Sequence, residues 1–285
     1  MSTHHKPTLS WNPIRFIPSM IADGVPTLSE WFAKARSLNL THVELYFGIL
    51  GGFSKDHVSQ VRGLLDSAGL SVSMFTAAPD FTHPEKTERV RHFENARRML
   101  DVAAILQAPA LRVTAGCLHD EVSTEDGIAM AADYLARLTE YSEPMNIQLA
   151  FENHYKDRLW TDRDFAHHTE IFLEIYDRLL DTPVKVNFDM SNQLMSDEDP
   201  LAVLDHVRDK IVHIHANDRH RGSYQHAVCG EGDLDFDGIF SRLAAIPYTG
   251  CISLEDGTRD GDAGTEKSFT LLREKIEDYY QLPIN

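Results

Sequence analysis

Four residues of metal-ligating types stand at the ends of short apolar runs in the second half of the chain. The runs read LAFE, VNFD, VHIH and ISLE, and they end at Glu152, Asp189, His215 and Glu255. Carboxylates that meet in a buried place need a positive charge to offset their burial, and these runs contain no lysine or arginine. A donor set of oxygen and nitrogen without thiolate indicates one divalent ion, Mn²⁺ first, with Mg²⁺, Co²⁺ or Zn²⁺ as alternatives.

Each of these four residues, taken alone, has an equally ordinary interpretation. A polar side chain at the end of a strand can simply hydrogen-bond to the loop that follows it. Four ligand types at matching ends of four successive runs favour a shared site. Such a site requires a fold that brings the ends of neighbouring strands together.

The elements that must position these residues are eight apolar runs, most of them followed by a polar loop and a stretch of helical period. Strands are predicted at residues 14–17, 42–47, 71–76, 110–114, 147–151, 184–188, 211–215 and 251–254, and helical stripes at 85–106 and 161–180. This alternation predicts an α/β fold, a (β/α)₈ TIM barrel in one domain over residues 1–285, with its active site at the carboxyl ends of the strands. A doubly wound sheet is disfavoured because neither GxGxxG after the first strand nor GxxxxGK[ST] occurs.

Composition excludes several classes of protein. Of the 285 residues 42% are hydrophobic, and 44 acidic residues against 27 lysines and arginines give a net charge of −17. So acidic a surface repels a polyphosphate backbone, and we expect no nucleic-acid partner. No apolar run approaches the ~18 residues that span a bilayer and the first residues lack a signal-peptide core, so we expect a cytoplasmic protein without a membrane partner. Formation of a homo-oligomer stays open.

Several motifs resemble those of a known superfamily. They are FENH at 151–154, NFD at 187–189, HIH at 213–215 followed by ND at 217–218, and GEGDLDF at 230–236 leading to Glu255. Together they resemble the sugar isomerase/epimerase superfamily with a xylose isomerase-like barrel, which includes ketose 3-epimerases, inosose dehydratases, hydroxypyruvate isomerases and endonuclease IV. The resemblance covers nearly the whole chain from Glu44 onward, and it implies a single metal held by Glu152, Asp189, His215 and Glu255.

The resemblance also implies two catalytic carboxylates, Glu152 and Glu255, on opposite faces of a bound sugar. A proton beside a carbonyl is too weakly acidic for an ordinary carboxylate, so a metal must stabilise the enediolate that forms. Return of the proton to the opposite face epimerises the carbon, and return to the neighbouring carbon isomerises the sugar. We therefore expect a metal-dependent isomerase or epimerase of a small-molecule sugar or keto-sugar.

Two other functions use the same barrel. A lyase or dehydratase acting on a keto-sugar, an inosose or a 3-keto-glycoside would need a third acid to expel a substituent from the enediolate. DNA repair of the endonuclease IV kind is opposed by the net charge and by the lack of a basic recognition loop. Asn192 also opposes it, because many members of the superfamily have a histidine there that serves the substrate or a further metal.

Six further residues are candidates, each with an ordinary alternative. His154 follows Glu152 by two residues on the loop that should cover the substrate, so we predict a catalytic role for it, against that of a solvated loop histidine. The residues predicted to bind substrate are Glu44, Lys156, Asn192, Arg219 and His226. Glu44 could equally be a structural strand-end carboxylate, and Arg221 is an alternative to Arg219.

Overall fold

A parallel barrel forms the centre of the protein, whose computed structural model describes residues 6–157, 161–246 and 248–280. Its strands are β1 (Thr8–Asn12), β2 (His42–Tyr46), β3 (Ser71–Thr76), β4 (Ala110–Val113), β5 (Gln148–Glu152), β6 (Lys185–Asp189), β7 (Ile211–Ala216) and β8 (Cys251–Glu255). They pair in the order β1-β8-β7-β6-β5-β4-β3-β2, and β1 and β2 lie side by side, so the sheet curves into a nearly closed barrel. The predicted fold class is confirmed.

Helices surround the barrel and connect its strands. They are α1 (Ile17–Ala22), α2 (Leu28–Ser37), α3 (Lys55–Ala68), α4 (Lys86–Leu106), α5 (Thr124–Ser142), α6 (Thr169–Arg178), α7 (Pro200–Val207), α8 (Phe236–Ala245) and α9 (Gly261–Tyr279). Short 3₁₀ turns lie at Phe47–Ile49, Glu143–Met145, Asn192–Ser196 and Arg208–Lys210. Among the described residues, no helix is both long enough and apolar enough to cross a membrane.

Two short hairpins follow β5 and β7, beyond the carboxyl ends of those strands. In one, Lys156–Asp157 pairs antiparallel with Asp162–Arg163. In the other, Asp218–Arg219 pairs antiparallel with His226–Ala227. Because the active site of a TIM barrel lies at this end, the hairpins place predicted substrate-binding residues over it.

Alternation along the strands separates the packing layer from the barrel interior. Trp11 and Phe151 are fully buried against the helices, with ring centroids 6.1 Å from Trp31 and 5.0 Å from Phe172 respectively. Successive side chains of a strand point to opposite faces of the sheet. The residue after Phe151, Glu152, therefore points into the barrel.

The first strand lies earlier in the chain than predicted. Residues 14–17 form a loop and the start of α1, where Pro18 is tolerated because the first turn of a helix does not need its missing N–H. The true strand has a polar inner face: Ser10 Oγ lies 2.7 Å from Ser73 Oγ, and Asn12 Nδ2 donates to Glu44 Oε1 at 3.2 Å. It therefore has no continuous apolar run.

The predicted helix at 161–180 is correct only in its second part. Thr169–Arg178 is helical, with Phe172 and Ile175 buried as the stripe predicted. Residues Asp162–Arg163 belong instead to the first hairpin. The predicted helix at 85–106 is confirmed, since Lys86–Leu106 is helical and Glu85 is its N-cap.

Candidate active site

The four residues predicted as ligands lie on four adjacent strands of the barrel. Glu152, Asp189 and Glu255 end β5, β6 and β8, and His215 is the last residue but one of β7. The strand register places Asp189 opposite His215. Parallel neighbouring strands thus bring these side chains to one end of the barrel, and we call the four residues the ligand cluster.

His215 lies at the centre of the ligand cluster. Its Nδ1 is 2.9 Å from Glu152 Oε1 and 3.3 Å from Glu255 Oε1. Candidate ligand atoms of Glu152, Asp189 and His215 all lie within 4.8 Å of one another. Asn217 Nδ2 links the other two carboxylates, because it donates to Asp189 Oδ2 at 2.7 Å and to Glu255 Oε2 at 3.0 Å.

The ligand cluster has the donor chemistry of a divalent cation site. Three of its side chains are essentially inaccessible to solvent, and that of Glu255 is 13% exposed. Arg112 forms an ion pair with Glu152, but the carboxylates of Asp189 and Glu255 still outnumber the one imidazole, and their burial is costly without a further cation. Oxygen and nitrogen ligands of this kind suit Mn²⁺, Mg²⁺, Co²⁺ and Zn²⁺. The residues therefore fit one such ion.

The environments of Glu152 and Glu255 move their pKa values in opposite directions. Burial alone would raise the pKa of Glu152, but the Arg112 guanidinium and the His215 imidazole lower it far below its usual range. Burial raises the pKa of Glu255 to about 7, against the attraction of His215 and with the support of the Asp189 carboxylate. At neutral pH Glu152 is therefore ionised, while Glu255 is poised between its two protonation states.

The carboxylates around His215 favour its protonated form when no metal is bound. Burial would lower its pKa, but the carboxylates of Glu255, Glu44 and Glu152 raise it well above the ordinary value. Both ring nitrogens face carboxylate oxygens, since Nε2 lies 2.8 Å from Glu44 Oε1. Burial and the charge of Glu152 also raise the pKa of Asp189. A cation in the ligand cluster would therefore replace bound protons.

Glu44 lies inside the barrel, fully buried, and not on the cavity where a sugar contact was predicted. Its Oε1 accepts from Thr76 Oγ1 at 2.8 Å as well as from Asn12 and His215. Its Oε2 lies 3.0 Å from His213 Nε2. Burial would raise its pKa, but the two imidazoles lower it well below the usual range. The position is that of a structural carboxylate which holds His215.

A cavity opens above the ligand cluster and reaches Glu255. The residues predicted at the site that line it are His154, Lys156, Asn192, Arg219, His226 and Glu255. Sequence reasoning missed Arg112, Tyr46, Thr76 and Tyr224, which line it as well. Arg112 could have been noticed, since it is the one charged residue in the apolar strand ALRV, and it forms an ion pair with Glu152.

His154 lies on the cavity and is 9% exposed. Its Nδ1 is 3.5 Å from Oδ2 of the fully buried Asp164. A carboxylate near one nitrogen directs the imidazole and favours a proton on the facing side. The structure thus adds Asp164, which the sequence did not suggest, as a neighbour of the predicted catalytic histidine.

Asn192 and Asn153 hold the carboxyl end of β6, where Asp189 lies, and the turn that follows it. The Asn192 backbone N–H donates to Asp189 Oδ1 at 2.8 Å, and its side-chain amide donates to the Asn153 carbonyl at 3.1 Å. Asn153 Oδ1 in turn accepts from the Asp189 backbone N–H at 2.8 Å. Asn192 therefore orients a ligand while it also lines the cavity.

Arg219 lies on the cavity, whereas the alternative Arg221 pairs with Asp197 near the surface. The Arg219 guanidinium donates to Ser191 Oγ at 3.1 Å and to His226 Nε2 at 2.6 Å. The structure therefore assigns the arginine of the cavity to Arg219.

An eight-stranded parallel barrel with a buried polar cluster at the carboxyl ends of its strands has the architecture of a TIM-barrel enzyme. The chain belongs to the xylose isomerase-like TIM barrel family, whose model matches residues 32–275. It is 23% identical over 231 residues to an uncharacterized protein of Methanocaldococcus jannaschii, a match that covers 79% of this chain and 76% of that protein.

Solved structures share the whole architecture. An L-ribulose 3-epimerase superposes with a TM-score of 0.77 at 16% identity, covering 97% of this chain and 96% of that one. The IolI protein, solved with a bound zinc atom, superposes with a TM-score of 0.77 at 14% identity, covering 97% of this chain and all of that one. At these identities the likeness establishes a common fold.

Proposed function

We propose that this protein is an enzyme that moves a proton at a carbon beside the carbonyl of a sugar or keto-sugar, as an epimerase or isomerase that depends on one divalent cation. One observation carries the proposal: a Glu152 carboxylate oxygen lies 2.9 Å, and a Glu255 carboxylate oxygen 3.3 Å, from the same His215 nitrogen, and the cavity reaches this place at Glu255. One carboxylate can accept a proton, and the conjugate acid of the other can return one.

The side chains around the two glutamates fix their orientation. Arg112 holds Glu152 Oε2, so that Oε1 faces His215. Asn12 Nδ2 donates to Glu255 Oε1 at 3.1 Å, and Asn217 donates to Oε2. When bound by Glu152, Asp189, His215 and Glu255, the cation would stabilise the negative charge that develops on the substrate oxygen.

The relatives support a sugar substrate and a metal, and both are proposals for this chain. One structural neighbour is an L-ribulose 3-epimerase, and another was solved with a bound zinc atom. We propose a small-molecule sugar as substrate and Mn²⁺ as the first ion to test, with Mg²⁺, Co²⁺ and Zn²⁺ as alternatives. The expected content is one tightly bound ion per chain, and two or three would contradict the single site.

Glutamine substitutions test the two-carboxylate mechanism. Glu152→Gln and Glu255→Gln each keep the shape of the side chain while removing its charge, so we expect each to lower turnover by ~10²-fold or more. Metal content is measured on the same samples, because loss of the ion and loss of the proton acceptor would both abolish activity. Glu140→Gln, at an exposed position of helix α5, is the matched control. Full activity of Glu152→Gln or of Glu255→Gln would show that the glutamate replaced takes no part in the reaction.

The reaction itself is identified in deuterated solvent. Neutral keto-sugars and 3-keto-glycosides are incubated with the metal-loaded protein and with protein treated with chelator. Deuterium at the carbon beside the carbonyl, in a product of unchanged molecular formula, is the expected result. Loss of water or of the aglycone would instead identify a lyase, with His154 placed on the cavity as the candidate third acid.

A further inference from the structure

Two cationic side chains, one from each hairpin, lie against the same tyrosine ring at one wall of the cavity. Lys156 Nζ lies 4.7 Å from the centre of the Tyr224 ring, and Arg219 Cζ lies 5.4 Å from the same centre. Both residues line the cavity together with Tyr224. Tyr155 packs on Tyr224 at 6.4 Å between ring centroids, which ties the two hairpins together at this point.

Among the described residues, neither the Lys156 ammonium nor the Arg219 guanidinium forms an ion pair with a carboxylate. Within the described ranges Lys156 forms no ion pair, and its close contact with the ring leaves its charge in place. Arg219 is 4% exposed and directs its N–H groups to neutral acceptors, namely Ser191 Oγ, the Tyr224 carbonyl and His226 Nε2. A guanidinium has five N–H donors, and the described residues account for three of them.

His226 holds the guanidinium without competing for an anion. Its Nδ1 donates to the Glu255 carbonyl at 3.1 Å, which leaves Nε2 as the acceptor for Arg219. Gly257 is required beside this histidine, because a Cβ at that position would lie 2.8 Å from the His226 ring.

Three carboxylates attract Arg219: two belong to the ligand cluster, and the third is Asp218, whose Oδ1 accepts from the Arg219 backbone N–H at 2.8 Å. Asp189 and Glu255 attract Arg219 electrostatically but form no hydrogen bond with it among the described residues. A divalent cation bound in the ligand cluster would also attract the carboxylates of Asp189 and Glu255 and would offset part of their charge. The wall would then carry two positive side chains over a site whose own negative charge the cation has largely offset.

We propose that the substrate of this enzyme carries an anionic group, a carboxylate or a phosphate, which binds between Lys156 and Arg219. The planar guanidinium provides paired donors for the oxygens of such a group, and the ammonium provides a second, mobile charge. The inference rests on the proposed function, since it names the class of sugar that reaches the ligand cluster. Neutral ketoses would lack the group that these two residues recognise.

The test compares substrates that differ in charge on the same carbon skeleton. D-fructose, D-fructose 6-phosphate and the corresponding 6-carboxylate are each incubated with the metal-loaded protein in deuterated solvent, and kcat/KM for deuterium uptake is measured. We expect the anionic sugars to exceed the neutral one by about 10- to 100-fold, the scale of one or two hydrogen bonds to a charged group. The comparison of phosphate with carboxylate identifies which anion the wall prefers.

Variants at Lys156 test whether the preference for anionic sugars depends on the charge of this side chain. Lys156→Met should reduce the preference for the anionic sugar, and Lys156→Arg, which keeps the charge, should retain most of it. Lys86→Met on the exposed start of α4 is the matched control. Arg219→Lys, with the melting temperature measured to verify folding, tests the buried partner. Equal kcat/KM for neutral and anionic sugars in the wild type would overturn the proposal while leaving the epimerase function intact.

Binding measured without turnover separates failure of this inference from failure of the proposed function. Calorimetric titration with D-fructose 6-phosphate and with the 6-carboxylate needs no reaction. If neither sugar exchanges deuterium but one of them binds the wild type and binds Lys156→Met about tenfold more weakly, the anion site stands and the proposed reaction fails. If neither anionic sugar binds more tightly than D-fructose, the anion site is refuted.

Discussion

Replacing Glu44 with glutamine tests whether a buried carboxylate determines which nitrogen of His215 faces the ligand cluster. Glu44 Oε1 lies 2.8 Å from His215 Nε2, so that nitrogen carries a hydrogen. In the neutral ring the lone pair is then on Nδ1, the atom that lies 2.9 Å from Glu152 Oε1. A histidine ligand commonly donates its other N–H to a carboxylate in this way, which fixes the ring and raises its basicity.

The contacts of Glu44 predict a moderate loss of metal affinity for Glu44→Gln and a large loss of folding stability for Glu44→Ala. Glutamine can keep the Oε1 acceptor and place its amide opposite His213 Nε2, which lies 3.0 Å from Oε2. It removes only the charge, so we expect about a 10-fold loss of metal affinity, or ~1.4 kcal/mol. Alanine would strip a partner from Asn12, Thr76 and both histidines. Each buried donor left unpaired costs about 1–3 kcal/mol, so Glu44→Ala is a test of folding and Glu44→Gln a test of the site.

The pH dependence distinguishes this role from a merely structural one. The Glu44 charge helps to raise the pKa of the metal-free His215, so in the wild type a proton competes with the metal to a higher pH than it would at an ordinary histidine. Metal affinity of the wild type should therefore rise as pH increases towards that raised pKa. In Glu44→Gln the pKa of His215 falls, competition ends at lower pH, and the deficit in affinity should be small near pH 6 and grow towards higher pH.

Affinity for Mn²⁺ is measured by competition with a chromophoric chelator at about pH 6, 7 and 8.5, on protein first stripped of metal. Glu140→Gln serves again as the control, and melting temperatures establish that the variant folds. Equal affinities at all three pH values in a folded Glu44→Gln protein would refute the reasoning. A loss of affinity that does not vary with pH would indicate general loosening of the barrel instead of an effect on His215.

Two further predictions concern protons. His154→Ala should leave Mn²⁺ affinity within a few-fold of the wild type and lower turnover by ~10²-fold, as for loss of a positioned acid or base. His206→Ala on α7 is its control, and loss of metal from His154→Ala would make His154 a ligand. Binding of Mn²⁺ near pH 7 should release protons, because the metal-free pKa values of Glu255 and His215 are raised. Calorimetry in buffers of different ionisation enthalpy measures this release, and heats independent of buffer would contradict it.

The barrel could be predicted because seven of its strands are short runs rich in apolar residues, four of which have a ligand-type residue at or next to the carboxyl end. In VNFD the pattern shows both the buried outward face at Phe188 and the ligand position at Asp189. The first strand departs from this apolar pattern, since Ser10 and Asn12 fill its inner positions. Its signal was therefore weaker than that of the apolar stretch at 14–17, which begins a helix.

The ligand cluster could be predicted, but the residues that hold it could not. Ligand types at strand ends converge in any parallel barrel. Glu44, in contrast, meets His215 from 171 positions away in the chain, and Asn12 meets Glu255 from 243 positions away. Only the observed strand order and register place these partners together. A strand-end glutamate that reaches for a sugar and one that holds a histidine look the same in sequence.

The cavity wall was the least predictable part because it is built by the two hairpins. Their strands have two residues each, too short for a period-2 pattern. Part of the first hairpin was accordingly assigned to a helix. Lys156 and Arg219 were identified as single polar residues, and only the structure shows that both face one tyrosine ring.

The buried hydrogen-bonded groups inside the barrel position the ligand cluster, whereas the hairpins above it carry residues proposed to recognise the substrate. A continuous series of contacts leads from Ser73 through Ser253, His213 and Glu44 to His215, all of them buried. Ligands fixed by the barrel core keep their geometry when surface loops change. The residues proposed to recognise the substrate stand instead on short hairpins, which tolerate substitution. Changes in the hairpins should therefore alter which sugar is accepted while leaving metal affinity nearly constant, whereas changes in the buried series should do the reverse.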